Sequence, residues 1–253
     1  MSTERIKEIA SNIKCSYIKC NIDSFLLEVA AEEYTPEQAI ELLLERENAL
    51  RKENGITRRL SRAHFPYQMS FDLFTSGHLS KEVAREVRVL ETLNFIEEGS
   101  NVVLIGNPGV GKTALSIALG TKACREGKTV AFINIPNLVI EIKEAMSLNQ
   151  LTAYKKSFEK YDLVILDDLG YCSFNKECGE VLFNLLSSRL QKAPIIVTTN
   201  LTFNRWNEVF NDPVLTGCIV DRVAHRAHVV DMTGESYRVI ETKEWLEKTQ
   251  NMK

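Results

Sequence analysis

The chain has 253 residues, of which 44% are hydrophobic and 26% charged, and its formal net charge is −3. These proportions suit a globular protein with one large domain, or one domain with a small appendage, and exclude a low-complexity chain. No apolar run approaches the ~20 residues of a membrane helix, and "MSTERIKEIASNIK" lacks an apolar signal core, so the expected location is cytoplasmic, with no membrane.

The near-neutral balance leaves any nucleic-acid contact to a local patch. Six cysteines, Cys15, Cys20, Cys124, Cys172, Cys178 and Cys218, are scattered without a Cys-x-x-Cys pair. They read as free thiols and not as a zinc site.

In chain order, the first strong element is "TPEQAIELLLERENAL", residues 35–50. Thr35 is a candidate N-cap, Pro36 opens the helix, and Gln38 completes a capping box. Ala39, Leu42, Leu43 and Leu50 line one face, with Glu41, Glu45 and Arg46 opposite. The following "RKENGITRRLSRAHFPY" crowds Arg51, Lys52, Arg58, Arg59 and Arg62, then the aromatic Phe65 and Tyr67. It reads either as a solvated helix face with a linker or as a phosphate-contacting patch. The chain is expected to divide near Phe71, into a helical N-terminal domain of residues 1–70 and a second domain of residues 71–253.

Beyond Phe71, strands and helices alternate. "NVVLIG" (101–106), "TVAFINI" (129–135), "LVILDD" (163–168) and "PIIVTTN" (194–200) read as strands. "KTALSIALGTKACREG" (112–127) reads as a helix stopped by Gly127, and "GEVLFNLLSSRLQ" (179–191) as another. "AHVVDM" and "SYRVIE", joined by "TGE", are expected to pair as a hairpin. Alternating segments predict an α/β fold, a parallel sheet between helices.

"GNPGVGKT" fits the P-loop pattern through Gly106, Gly109, Gly111, Lys112 and Thr113, following a strand and opening a helix. Glycines allow successive amides to turn inward onto phosphate oxygens, and the helix adds its positive end. Lys112 is expected to reach the β- and γ-phosphates, and the Thr113 hydroxyl to ligate Mg²⁺. The span Gly106, Asn107, Pro108, Gly109, Val110, Gly111, Lys112, Thr113 and Ala114 is the expected nucleotide cradle. Two adjacent carboxylates, Asp167 and Asp168, end an apolar strand, where a positive partner must offset their repulsion and desolvation. Asp167 is expected to complete the Mg²⁺ site and Asp168 to orient or deprotonate the attacking water. Asn200, ending another strand, could hold that water. Arg222 or Arg238 could neutralise the γ-phosphate, although each alone reads more readily as a surface arginine. His225 and His228 have no third ligand and read as structural.

Together "GNPGVGKTALSIALG", "DLVILDDLGY", "IIVTTN", "FNRWNEVFND" and "VDRVAHRAHVVDMTGESYR" make the chain resemble the IstB-type ATPases of bacterial insertion sequences, relatives of the DnaC helicase loader within the AAA+ class. The likeness spans roughly Phe71 to Arg238. It implies an AAA+ P-loop core, ATP held between neighbouring copies of a homo-oligomer, assembly on double-stranded DNA, and presentation of target DNA to an IstA-type transposase. It places Lys112 and Thr113 in Walker A, Asp167 and Asp168 in Walker B, and Asn200 at sensor 1. Arg222 becomes the arginine finger and Arg238 sensor 2. It also implies DNA contact for Arg51, Lys52, Arg58, Arg59 and Arg62. Asp168 stands where many relatives carry Glu, so slow hydrolysis is expected, and Ala114 replaces a common His. The roughly fifteen residues after Arg238 are expected to be too few for a helical lid. The alternatives are a DnaC-like helicase loader, built on the same ATPase, and a small-molecule kinase, for which no acceptor pocket or lid signature is seen.

Overall fold

The structure is a computed structural model that describes residues 3–74, 79–189, 192–239, 242 and 245. The chain forms two compact units, Met1–Arg58 and Arg59–Lys253.

The first unit contains α1 (Thr3–Asn12), α2 (Ser16–Ala31) and most of α3 (Pro36–Ala63). The capping box forms: Thr35 N–H donates to Gln38 Oε1 at 2.9 Å, and Gln38 N–H to Thr35 Oγ1 at 3.3 Å. α3 runs 28 residues, well past the apolar pattern at its start. Its basic second half contains no proline, and the single Gly55 costs only about 1 kcal/mol against alanine. Cys15 cannot cap α2 with its side chain. Glu47 of α3 does so instead, accepting from the amides of Ser16, Tyr17 and Ile18 at 3.2, 2.8 and 3.3 Å. Arg46, expected on the solvated face, is half-buried and forks onto Glu28 at 2.7 and 2.5 Å.

The second unit adds α4 (Lys81–Glu91), α5 (Asn94–Glu98), β1 (Asn101–Ile105), α6 (Lys112–Arg125), β2 (Val130–Asn134), α7 (Ile135–Ser147), α8 (Leu151–Phe158), β3 (Leu163–Leu169), α9 (Lys176–Arg189), β4 (Ile195–Thr199), α10 (Asn207–Phe210), α11 (Pro213–Ala224) and β5 (Ala227–Asp231). The five strands lie in the order β2-β3-β4-β1-β5, and every pairing is parallel. Both faces are covered, which is why β3 and β4 read as unbroken apolar runs. Val103, Val164, Leu166 and Val197 face a core with α7, α9 and α11, through Leu138, Ile142, Leu182, Leu185, Ile219 and Val223. Val102, Leu104, Ile165 and Ile196 face the other core, with Leu90, Phe95, Leu115 and Leu119. The alternation between the two faces is the period-2 geometry of a strand. Gly127, at φ +95, ends α6 as the sequence predicts, and Lys128 N–H closes the cap on Ala123 O at 2.9 Å.

Among the described residues the expected hairpin does not form. β5 pairs in parallel with β1, from Asn101↔Ala227 to Ile105↔Asp231, and residues 237–239 are helical. Ile240 and Glu241, the end of the expected second strand, lie outside the described residues. The Asp231 carboxylate accepts Thr233 N–H at 2.9 Å, an Asx turn that steers the chain off the strand. The "GESYR" segment then crosses to the P-loop, where Tyr237 N–H donates to Gly109 O at 2.9 Å.

Candidate functional site

The site is built at the C-terminal ends of β1, β3 and β4, where parallel sheets gather their loops. After β1 the chain enters the P-loop, anchored by Gly106 N–H on Thr199 O at 3.2 Å. Gly109 and Gly111 have φ of +83 and +95, a region most side chains avoid. A Cβ on Gly109 would come within 2.1 Å of Ser236 Oγ, so the loop and the "GESYR" strap require a glycine between them. α6 starts directly at Lys112, so its free amides and positive end face the loop.

Lys112 is buried, and its ammonium donates to Gly106 O at 2.7 Å and Asn107 O at 2.9 Å. Burial pulls its pKa below the usual lysine range, while Asp168 and Asp167 oppose that pull. Thr113 Oγ1 donates to Asp167 Oδ1 at 2.9 Å, which brings the two residues predicted to share Mg²⁺ into direct contact. Thr198 Oγ1 donates to the same oxygen at 2.7 Å. Asp167 is 4% exposed; burial and the neighbouring Asp168 push its carboxyl above the usual range against those two hydroxyls.

The adjacent aspartates part company through the backbone. The register of β3 on β4 runs Leu166↔Val197 and then Leu169↔Thr199, so β3 bulges at the pair. Within the bulge Asp168 adopts φ +65, and its N–H donates to Thr198 Oγ1 at 3.0 Å. Asp167 is thereby held inward on Thr113, while Asp168 lines the cleft beside Lys112. The Asn134 amide at the end of β2 stands 3.5 Å from Asp168 Oδ2.

Asn200 follows β4 and packs against Gly170, where an added Cβ would meet its Oδ1 at 2.3 Å. That oxygen is buried and, among the described residues, has no hydrogen-bond partner. Arg238 lines the cleft with Lys112 and Thr113, and its charge helps depress the lysine. Val110 is buried under the loop, and Pro108 and Ala114 line the cleft.

Arg222 is not brought to this cleft. It sits near the N-terminal end of β1, where Asn101 Nδ2 donates to the Arg222 carbonyl at 3.2 Å. Its guanidinium lies 4.0 Å over the Phe183 ring and donates to Ser187 Oγ at 2.8 Å and Cys218 O at 3.1 Å. Among the predicted DNA contacts, Arg51 is paired with Glu47 at 2.8 Å and also donates to Lys14 O at 3.1 Å. Arg58 Nε donates to Asn54 O at 3.3 Å. Arg59 Nε caps the last turn of α6 through Cys124 O at 2.7 Å, while Lys52 and Arg62 are exposed.

The cleft measures about 590 Å³ and is lined by residues that sequence reasoning did not assign to it: Tyr67, Met69, Leu73 and Phe74, together with Tyr171 and Tyr237. Burial raises the Tyr67 phenol above its usual range. The signal was present as the aromatic run "FPYQMSFDLF", but nothing local says that this run folds over the P-loop. Phe65, at its head, packs where Gly120 of α6 leaves room; a Cβ there would come within 2.8 Å of the ring.

These residues fit a magnesium-bound nucleoside triphosphate. The glycine turns leave space that side chains would fill, Lys112 supplies a buried cation, and Thr113 and Asp167 form a hydroxyl–carboxylate pair suited to a hard divalent cation.

The family model described as IstB-like ATP binding protein matches residues 21–244. The chain is 34% identical over 241 residues to the ATP-binding protein of insertion sequence IS21 from Pseudomonas aeruginosa, covering 94% of this chain and 90% of that one. It is also 34% identical over 190 residues to the ATP-binding protein of insertion sequence IS232 from Bacillus thuringiensis subsp. berliner, covering 75% of this chain and 76% of that one. Among solved structures it is similar to DnaI, with a TM-score of 0.58 at 22% identity over 71% of this chain and 98% of that one. It is similar as well to the replication initiator DnaA bound to AMPPCP and single-stranded DNA, with a TM-score of 0.59 at 18% identity over 73% of this chain and 56% of that one. The fold is that of the AAA+ P-loop NTPases.

Proposed function

Because the chain belongs to the IstB-like ATP-binding protein family, we propose that it is an ATP-hydrolysing regulator of transposition, which assembles on duplex DNA and presents target DNA to its element's transposase. One observation carries the ATPase part of this reading: Thr113, beside the P-loop lysine, is hydrogen-bonded to Asp167 at 2.9 Å. That contact supports reading Walker A and Walker B as one site.

Phosphoryl transfer asks the protein for alignment and charge stabilisation. The P-loop amides and Lys112 hold the β- and γ-phosphates. Thr113 and Asp167 would hold Mg²⁺, which would neutralise charge on the phosphate oxygens. A carboxylate oxygen of Asp168 accepts the proton of the attacking water, and Asn200 orients that water from the next strand. Arg238 serves the γ-phosphate within its own chain. Arg222, at the far end of the sheet, serves the nucleotide of a neighbouring copy. Tyr67, Met69, Leu73 and Phe74 give the base an apolar seat.

DNA contact falls to the exposed cations, Lys52 and Arg62 foremost, since Arg51 and Arg59 are already engaged within the protein. From that proposed DNA target we infer a cytoplasmic location. The test is binding to duplexes of unrelated sequence with ATP, with ADP and without nucleotide, across a salt series. ATP should promote assembly, and affinity should fall steeply with salt. Equal binding with and without ATP, and no assembly, defeats the proposal. Capture by a replicative helicase and not by the transposase would make the protein a loader.

A further inference from the structure

Thr198, in the middle strand of the sheet, makes contacts that no packing role requires. It is fully buried, with 0% exposure, on β4 beside the bulge of β3. Its single hydroxyl works in both directions. It donates to Asp167 Oδ1 at 2.7 Å and accepts from Asp168 N–H at 3.0 Å. The bulge explains the need. Where β3 slips out of register, the ladder cannot take up every backbone group, and a buried amide without a partner is costly. Side chains of β4 fill in: Thr198 satisfies Asp168 N–H, and Thr199 Oγ1 donates to Leu169 O at 2.7 Å.

The contact with Asp167 has a chemical consequence. Thr113 and Thr198 both donate to Oδ1, and among the described residues no hydrogen bond reaches Oδ2. One oxygen is held by the protein and the other is left to a cation. Thr113 is itself an expected ligand of that cation, so Thr198 is the donor to Asp167 that does not depend on it. A valine in its place has the same shape, but it frees the carboxylate to rotate and strands the Asp168 amide.

We propose that Thr198 is a positioning residue of the ATPase site, whose one hydroxyl sets the orientation of the metal-binding Asp167 and the backbone kink of the water-activating Asp168. The inference rests on the ATPase reading above. Hydrogen bonds behind a metal ligand typically matter by about 10–100-fold in metal affinity or activity.

The experiment uses the full chain and a fluorescent ATP analogue. Binding is measured across a Mg²⁺ titration for the wild type, Thr198→Val, Thr198→Ala and Thr198→Ser, alongside thermal melting and steady-state ATP turnover. The valine and alanine variants should bind the analogue without Mg²⁺ as the wild type does. Their Mg²⁺ half-saturation should rise about 10–100-fold, and kcat should fall more than KM rises. Serine keeps the hydroxyl and should restore both to near wild-type values. A wild-type Mg²⁺ midpoint in a folded Thr198→Val or Thr198→Ala protein overturns the inference and leaves the ATPase reading standing. A serine variant as impaired as valine also overturns it, since shape and not the hydroxyl would then matter. Wild-type binding that ignores Mg²⁺ altogether defeats the ATPase reading and this inference with it.

Discussion

Gly170→Ala is a small change with a calculable effect. Gly170 follows the aspartate pair at φ +124, where a Cβ is strained whatever the surroundings. Holding a non-glycine residue in such a region costs about 1–3 kcal/mol. In a unit of this size that lowers the melting temperature by roughly 2–4 °C per kcal/mol. The steric effect falls on Asn200. The new Cβ would lie 2.3 Å from Asn200 Oδ1, against a floor of 3.0 Å for real contacts, so the carboxamide must retreat by about 0.7 Å. Displacements near 1 Å at a reacting centre can cost about a hundredfold in rate. Gly170→Ala should therefore lower kcat for ATP about 10–100-fold while nucleotide affinity stays within about threefold, because Asn200 does not line the P-loop cradle. Turnover by a coupled phosphate-release assay, analogue binding by fluorescence anisotropy and melting by calorimetry read the three parts separately. A folded variant with turnover within twofold of the wild type would show that the position of Asn200 is irrelevant to catalysis and refute the argument.

Lys112→Ala should abolish measurable nucleotide binding, whereas Asp168→Asn, which tolerates the left-handed backbone equally well, should keep binding and stop hydrolysis; equilibrium binding beside turnover separates them. Arg222→Ala should bind nucleotide normally as a dilute protein and lose the hydrolysis stimulated by assembly on DNA, and mixing it with Lys112→Ala should recover part of that activity. Glu47→Ala should destabilise the N-terminal unit by about 1–3 kcal/mol, since it removes the acceptor of three α2 amides in one step, while the half-exposed Arg51 keeps its bond to Lys14 O. Chemical denaturation followed by circular dichroism should show an early transition; an unchanged curve would mean that water replaces the carboxylate without loss.

What could be read in advance was what lies contiguous in the chain. The P-loop announces itself because its glycines, lysine and threonine must follow one another, and it is confirmed by the strand before it and the helix after it. The capping box at Thr35 and Gln38 and the stop at Gly127 are equally local. Contacts made through space were not legible. The run from Phe65 to Phe74 carries no mark of the cleft it lines, and its nearness to the basic stretch drew attention elsewhere. Arg46 has the spacing of a solvated residue but finds Glu28 on another helix. The strand-like "SYRVIE" is overruled by the Asx turn at Asp231 and by the pull of Gly109 on Tyr237. Thr198 looked like one more β-branched strand residue; its role arises from a slip in register that no short window of sequence contains.

The left-handed backbone at Asp168 also bears on why this position is an aspartate. Of the side chains able to take a proton there, aspartate is among those that tolerate positive φ best, because its short carboxylate can bond locally. Asp168→Glu would therefore not simply lengthen the arm toward the water. It would set a less suitable residue on a backbone that Thr198 already fixes. The shortness expected to slow the chemistry and the sharp bend of the strand belong to one compromise, in which reach is given up for a firmly seated hinge.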